Sequence, residues 1–237
     1  MIDINCDMGE GLGNEIELMP YISSANIACG YHAGDAATMK QVINLCIQHN
    51  VHIGAHPSFL DRENFGRSPI HLPGEEVYTI ISEQLTIINN ITKECGAKMH
   101  HVKPHGALYN MAAKDALLAK AIAGAVKDFD ASLIYVGLSG SAMIEEAKKI
   151  GLQTASEVFA DRTYQSDGSL TPRTMPNALL QDVNTVTKQV MKFVKENKVS
   201  TLTGEEIFIT ADTICIHGDG EHAVEFAKAI YKTMHEK

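Results

Sequence analysis

A chain of 237 residues, 45% of them hydrophobic, is long and apolar enough to bury its own core, as a single α/β barrel domain spanning 1–237 would. Its 20 Lys+Arg against 29 Asp+Glu give a net charge of −9, which argues against nucleic acid or an anionic membrane as partner, since both need concentrated positive charge. Five scattered cysteines without a CxxC pair read as reduced thiols, and the absence of a leader-like start or a long apolar run points to a soluble cytoplasmic protein.

In chain order, short apolar strands alternate with amphipathic helices. Strand candidates are 2–6, 25–30, 51–56, 99–103, 133–138, 153–158 and 212–217, several of them β-branched as buried parallel strands tend to be. After the second strand, Asp35 can cap a helix whose buried face is Met39, Val42, Ile43 and Cys46. Val77, Ile81, Ile88 and Cys95 mark the next helix, with Gly96 as its stop. Asp115 can cap a third, residues 141–150 form a fourth ending at Gly151, and helices with Val183–Val194 and Val224–Met234 follow. Seven strands joined by right-handed crossovers favour an irregular (β/α)7 barrel, TIM-barrel-like, over an open sheet.

Three stretches break the rhythm. Loops 57–72 and 159–182 follow strands, and the second is long enough for an active-site lid. Residues 198–211 read as a hairpin turning at Thr203-Gly204, expected on the side away from the strands' C-terminal ends and structural in role.

Chemistry-bearing residues collect where strands end. Asp7 and Glu10 follow the first strand, His32 the second, His56 the third, Lys103 and His105 the fourth, Glu157, Asp161 and Arg162 the sixth, His217 and Asp219 the seventh. Barrel enzymes work at that face because the strand ends converge there. Asp7, His32 and His56 could bind a divalent metal or form a carboxylate–imidazole acid/base set. Lys103, Arg62, Arg67, Arg162 and Arg173 offer positive charge to a carboxylate or phosphate. Ser139, Gly140 and Ser141 stand at a helix start and offer backbone N–H groups to an anion. His52, His100 and His101 read as less functional, and of the neighbours His100 and His101 at most one points inward.

The segments NCDMGEG, SANIACGYHAGD, IGAHPSF with DRENFGR, HVKPHGALYN, VGLSGS, SEVFADRTYQSDGSLTPR and DTICIHGD, in that order, resemble the LamB/YcsF family from residue 2 to about 235. The resemblance implies a fold like that of carbohydrate deacetylases and a role as one of three subunits of an ATP-dependent 5-oxoprolinase. That enzyme opens the lactam of 5-oxo-L-proline to L-glutamate. It further implies Asp7 and His32 as base or ligands, assisted by His56 and His105, with Lys103 and the Ser139–Ser141 turn offsetting charge on phosphate or oxyanion. Glu157, Asp161 and His217 would complete the pocket. Two other readings stay open: a metal-dependent, ATP-independent amide hydrolase, and a non-catalytic subunit that binds substrate or partners. Self-association is open too.

Overall fold

In the computed structural model, residues 2–220 and 222–235 are described. Seven parallel strands close into a barrel in the order β1 (Asp3–Met8), β2 (Ser24–Ala28), β3 (His52–His56), β4 (His101–Val102), β5 (Ile134–Leu138), β6 (Thr154–Phe159) and β9 (Thr213–Ile216). Closure comes from β1 pairing with β9 in the register Asp3↔Thr213 to Cys6↔Ile216. The expected barrel is therefore present, with strand limits close to those read from sequence.

Capping residues place the helices that cover it. The Asp35 carboxylate accepts from Thr38 N–H at the start of α2 (Ala36–His49), and Asn50 ends that helix at φ 55°. Asp115 caps α5 (Ala116–Phe129) through Leu117 and Leu118 N–H, and Asp182 caps α7 (Val183–Glu196) through Thr185 N–H. Each cap satisfies donors that the first helical turn leaves free. The long α3 (Gly74–Glu94) buries Val77, Ile81, Leu85 and Ile88; its buried Gln84 side chain bonds both the N–H and the carbonyl of Ser58, fixing the chain just past His56. A short α1 (Glu15–Leu18), α6 (Ala142–Lys149) and α8 (Ala223–His235) complete the outer layer with α4 (Gly106–Ala112). The seven-residue α4 has no side-chain cap, which is why periodicity did not reveal it.

The hairpin β7 (Lys198–Ser200) and β8 (Glu206–Phe208) is antiparallel, as expected, but its position is not. Leu202 N–H bonds the Tyr164 carbonyl, and Thr210 N–H bonds Ser139 Oγ, so the hairpin packs against chain that follows β6 and β5. The hairpin therefore reaches the side on which β5 and β6 end. The 159–182 segment is likewise no bare loop. Its inner turn is buried, and the Arg162 guanidinium inside it bonds the carbonyls of Thr171 and Ala178. All five cysteines are free thiols, and no described helix is long and apolar enough to cross a membrane.

Gly54 is required by close approach: a Cβ there would lie 2.1 Å from His101 Nε2 inside the barrel. Gly54→Ala should cost about 3 kcal/mol or more, overpacking and a lost buried hydrogen bond combined. Gly124→Ala, in α5 with nothing within 4 Å of the new methyl, should stabilise by about 0.5–1 kcal/mol. Urea-unfolding midpoints of the two variants would check the pair.

Candidate active site

A barrel interior is usually filled by branched apolar side chains. This one carries a polar column. Residues two apart on a strand share a face, so Asp3, Asn5 and Asp7 of β1 point the same way, and their partners show that way to be inward. At the N-terminal end, Asp3 accepts from Ser23, Ser24 and Thr213 hydroxyls. Asn5 donates to Thr213 Oγ1 at 2.7 Å. Asn26 Nδ2 then donates to Asn5 Oδ1 (2.7 Å) and Asp7 Oδ1 (2.8 Å), while His101 Nε2 meets Asn26 Oδ1 at 2.8 Å.

The column ends on a buried ammonium. Lys103 Nζ donates to Asp7 Oδ1 at 2.9 Å and Asn5 Oδ1 at 3.2 Å, and pairs with Glu157 Oε1 at 2.8 Å. Glu157 also accepts from the Tyr109 hydroxyl of α4 at 2.7 Å. Phe159 lies under the ammonium, 5.4 Å from ring centroid to Nζ. Burial works against each charge, but the partners prevail. His56 and Lys103 hold the Asp7 carboxyl well below its usual range, and Asp7, foremost, holds the Lys103 ammonium well above its own.

Beside this triad sit three imidazoles and a carboxylate. His32 and His105 stack at 3.8 Å with rings 4° apart, and His56 meets His105 edge-on. Glu10 Oε1 lies 3.1 Å from His32 Nε2, 3.4 Å from His105 Nδ1 and 3.9 Å from His56 Nε2. Ligand atoms of all four fall within 4.8 Å of one another, an arrangement that could hold a metal ion. Burial, then the charge of Asp7, pushes Glu10 up to about 7. Burial and the neighbouring His56 push His32 down to about 2. Asp7 also touches this cluster, with Oδ2 3.4 Å from His56 Nε2. A group reaching the Asp7 carboxylate therefore meets an ammonium on one side and imidazoles on the other, a setting for proton transfer and for stabilising negative charge.

The family model of the LamB/YcsF family matches residues 2–237. The chain belongs to the LamB/YcsF family. It is 53% identical, over 234 residues, to the 5-oxoprolinase A subunit of Shouchella clausii (strain KSM-K16), covering 97% of this chain and 92% of that one. It is 50% identical to the protein of the same name from Geobacillus kaustophilus (strain HTA426), covering 98% and 93%. Among solved structures it is similar to the lactam utilization protein from Thermus thermophilus, with a TM-score of 0.92, 40% identity, and coverage of 98% of this chain and 95% of that one. A family 4 carbohydrate esterase from Streptomyces lividans, at 11% identity and a TM-score of 0.52 over 98% of this chain and 86% of that one, shares the fold alone.

Within this LamB/YcsF chain the expected site residues divide into groups. Asp7, Glu10, His32, His56, Lys103, His105 and Glu157 converge as described. His217 borders them, with Nδ1 2.8 Å from Asp161 Oδ1 and its ring stacked on Phe159. Arg67 pairs with Asp219, and Arg173 approaches the same carboxylate at 3.5 Å, a charged rim near His217. Arg62 instead bonds the carbonyls of Gly30 and Gly34, holding the loop that carries His32, and Arg162 is spent inside its own segment. Of the expected metal set of Asp7, His32 and His56, the two histidines lie with Glu10 and His105, and Asp7 lies with Cys215 and His217, its Oδ1 bonded by Lys103 and Asn26 and its Oδ2 3.4 Å from His56 Nε2. The Ser139–Ser141 turn lies apart. Its N–H groups at Ser139 and Ser141 donate to Glu157 and Leu138 carbonyls, Ala142 N–H donates to Ala113, and Ser139 faces the hairpin. Ser141 Oγ, buried in the turn, has no hydrogen-bond partner among the described residues. Asn5, Asn26, His101 and Tyr109 were not among the expected residues. The alternation Asp3-x-Asn5-x-Asp7 was the one available signal.

Lys103→Met would leave two buried carboxylates without their counter-charge, at a cost of about 3–5 kcal/mol near neutral pH. The depressed Asp7 contributes stability that is present above about pH 4 and lost as pH falls through its folded-state value. The raised Lys103 contributes stability present below about pH 10 and lost as pH rises. The native chain keeps both across that window, whereas the variant must bury its carboxyls protonated. Its deficit in urea unfolding should therefore widen from about pH 5 to pH 8; a constant or shrinking deficit contradicts this account of the triad.

Proposed function

We propose that this chain is the A subunit of an ATP-dependent 5-oxoprolinase, opening the lactam of 5-oxo-L-proline to L-glutamate with two partner subunits. The observation that carries the reading is near-full-length identity of 50–53% to proteins named as the A subunit of 5-oxoprolinase. The site's chemistry agrees with it. A five-membered lactam is a poor electrophile that recloses readily, and phosphorylation of its amide oxygen by ATP turns it into a good one. Attack by water at the ring carbon then needs a base for the water's proton, a proton for the ring nitrogen as the C–N bond breaks, and a positive group beside the phosphoryl oxygens. The acyl phosphate left behind is hydrolysed to the glutamate carboxylate and inorganic phosphate. In this reading Asp7, with His56 beside it, takes the proton, and Lys103 offsets the phosphoryl charge. Glu157 and Tyr109 hold the ammonium in place, and Arg67, Arg173, Asp219 and His217 form the rim through which substrate enters. His32 and His105 pack the base side of the pocket.

The histidine–carboxylate cluster favours a second reading, amide hydrolysis assisted by a divalent metal without ATP. Glutamate release from 5-oxo-L-proline by the reconstituted three-component complex, with and without ATP, separates the two. Release should require ATP and every component, and Asp7→Asn or Lys103→Met, introduced into a complex verified as intact, should lower kcat by about 10²–10⁴. Full turnover by both variants, or glutamate release by this chain alone without nucleotide, sinks the proposal.

A further inference from the structure

The hydrogen bonds of two buried histidines fix their tautomers. His56 Nδ1 lies 2.7 Å from the Lys103 carbonyl oxygen, and His105 Nε2 lies 2.9 Å from that of Phe65. A carbonyl can only accept, so each of these nitrogens carries a ring hydrogen, and a lone pair on either ring has to lie at its other nitrogen. Those two nitrogens, His56 Nε2 and His105 Nδ1, face each other at 2.9 Å. Two lone pairs at that distance repel unless a proton or a metal ion lies between them. The Glu10 carboxylate adds a third acceptor, 3.4 Å from His105 Nδ1 and 3.9 Å from His56 Nε2. His32, stacked on His105, holds Glu10 in place through Nε2.

The geometry points to a divalent transition-metal site made by Glu10 Oε1, His56 Nε2 and His105 Nδ1. Ligands bonded at about 2.0–2.1 Å stand about 3.0 Å apart in octahedral and about 3.3 Å apart in tetrahedral coordination; the separations of 2.9 and 3.4 Å match these, and the 3.9 Å between Glu10 and His56 is wider than either. The chemistry of the set, two imidazoles and one carboxylate, suits zinc, iron, cobalt or manganese rather than magnesium or calcium. The backbone carbonyls of Lys103 and Phe65 are the kind of outer partner that orients metal-binding histidines elsewhere. The site is also built by close packing: a Cβ at Gly66 would lie 2.9 Å from both the His105 ring and His32 Cβ, and one at Gly106 would lie 2.4 Å from the Gly66 carbonyl. Both glycines have positive φ, 65° and 56°, so the chain there is shaped to close on the imidazoles.

The existence of this site does not depend on lactam chemistry, and its test uses the isolated chain without substrate, nucleotide or partners. Chelator-treated protein is titrated calorimetrically with Zn²⁺ and then desalted for metal analysis. One ion per chain is expected. Glu10→Gln and His105→Gln should each weaken binding by at least about 100-fold, while His222→Gln, in a surface pair with Glu225, should leave it unchanged. Long-range ¹H–¹⁵N spectra of the unmutated protein supply a readout that survives any misfolding of the variants. Zn²⁺ should shift one histidine at Nε2 and a second at Nδ1, the mixed ligation this geometry demands. Absence of stoichiometric uptake overturns the site, and so does uptake that both variants retain or that shifts other histidines. A proton shared between His56 and His105 with no ion bound is the outcome that would replace it.

Discussion

The Lys103 ammonium, held between Asp7 and Glu157 inside a closed barrel, is the constraint around which the remaining structure is arranged. An ion of this kind buried without partners would cost several kcal/mol, so every neighbour has to be supplied by the fold. Asp7 comes from β1, Glu157 from β6 and Lys103 from the end of β4. None of the three strands is adjacent to either of the others. Only closure of the barrel brings these side chains within 3 Å. The polar column below extends the same logic: Asn26 orients Asp7 and Asn5, and Thr213 with Ser23 and Ser24 orients Asn5 and Asp3.

This arrangement assigns different work to the two sides of Asp7. Its Oδ1 is saturated by Lys103 and Asn26, whereas Oδ2 faces His56 and is the oxygen free for chemistry. Positive charge and imidazole nitrogens thus flank one carboxylate without cancelling it. The fold keeps the parts separate by drawing them from different elements: Gln84 of α3 clasps the chain beyond His56, Arg62 clasps the loop bearing His32, and α4 delivers Tyr109 to Glu157. Mobile surface groups play little part.

Much of the barrel was legible in the sequence because its signals are local. Asp35 and Asp115 cap the helices they were expected to cap, and all seven barrel strands fall within two residues or so of their expected limits. The strand-end residues were legible for the same reason, since a barrel forces them to one face. What escaped depended on contacts remote in sequence. Alternation in β1 separates Ile4 and Cys6 from Asn5 and Asp7, but it does not say which face is the interior; here the apolar face packs on helices and the polar face fills the barrel. Reading His101 as less functional missed its place inside, where Gly54 makes room for the ring. The bonds that tie the Ser139–Ser141 turn to Thr210, and Ala142 beside it to Ala113, join residues remote in the chain.

The central claim, that a permanently charged lysine inside the barrel marks the lactam site, is most directly tested by the ¹⁵Nζ resonance of Lys103 in the isolated chain. The account predicts an ammonium that stays protonated through about pH 10, as its raised value requires, and that shifts when 5-oxo-L-proline is added. A Lys103 that loses its proton below about pH 9, or one that saturating lactam leaves unmoved, would contradict it.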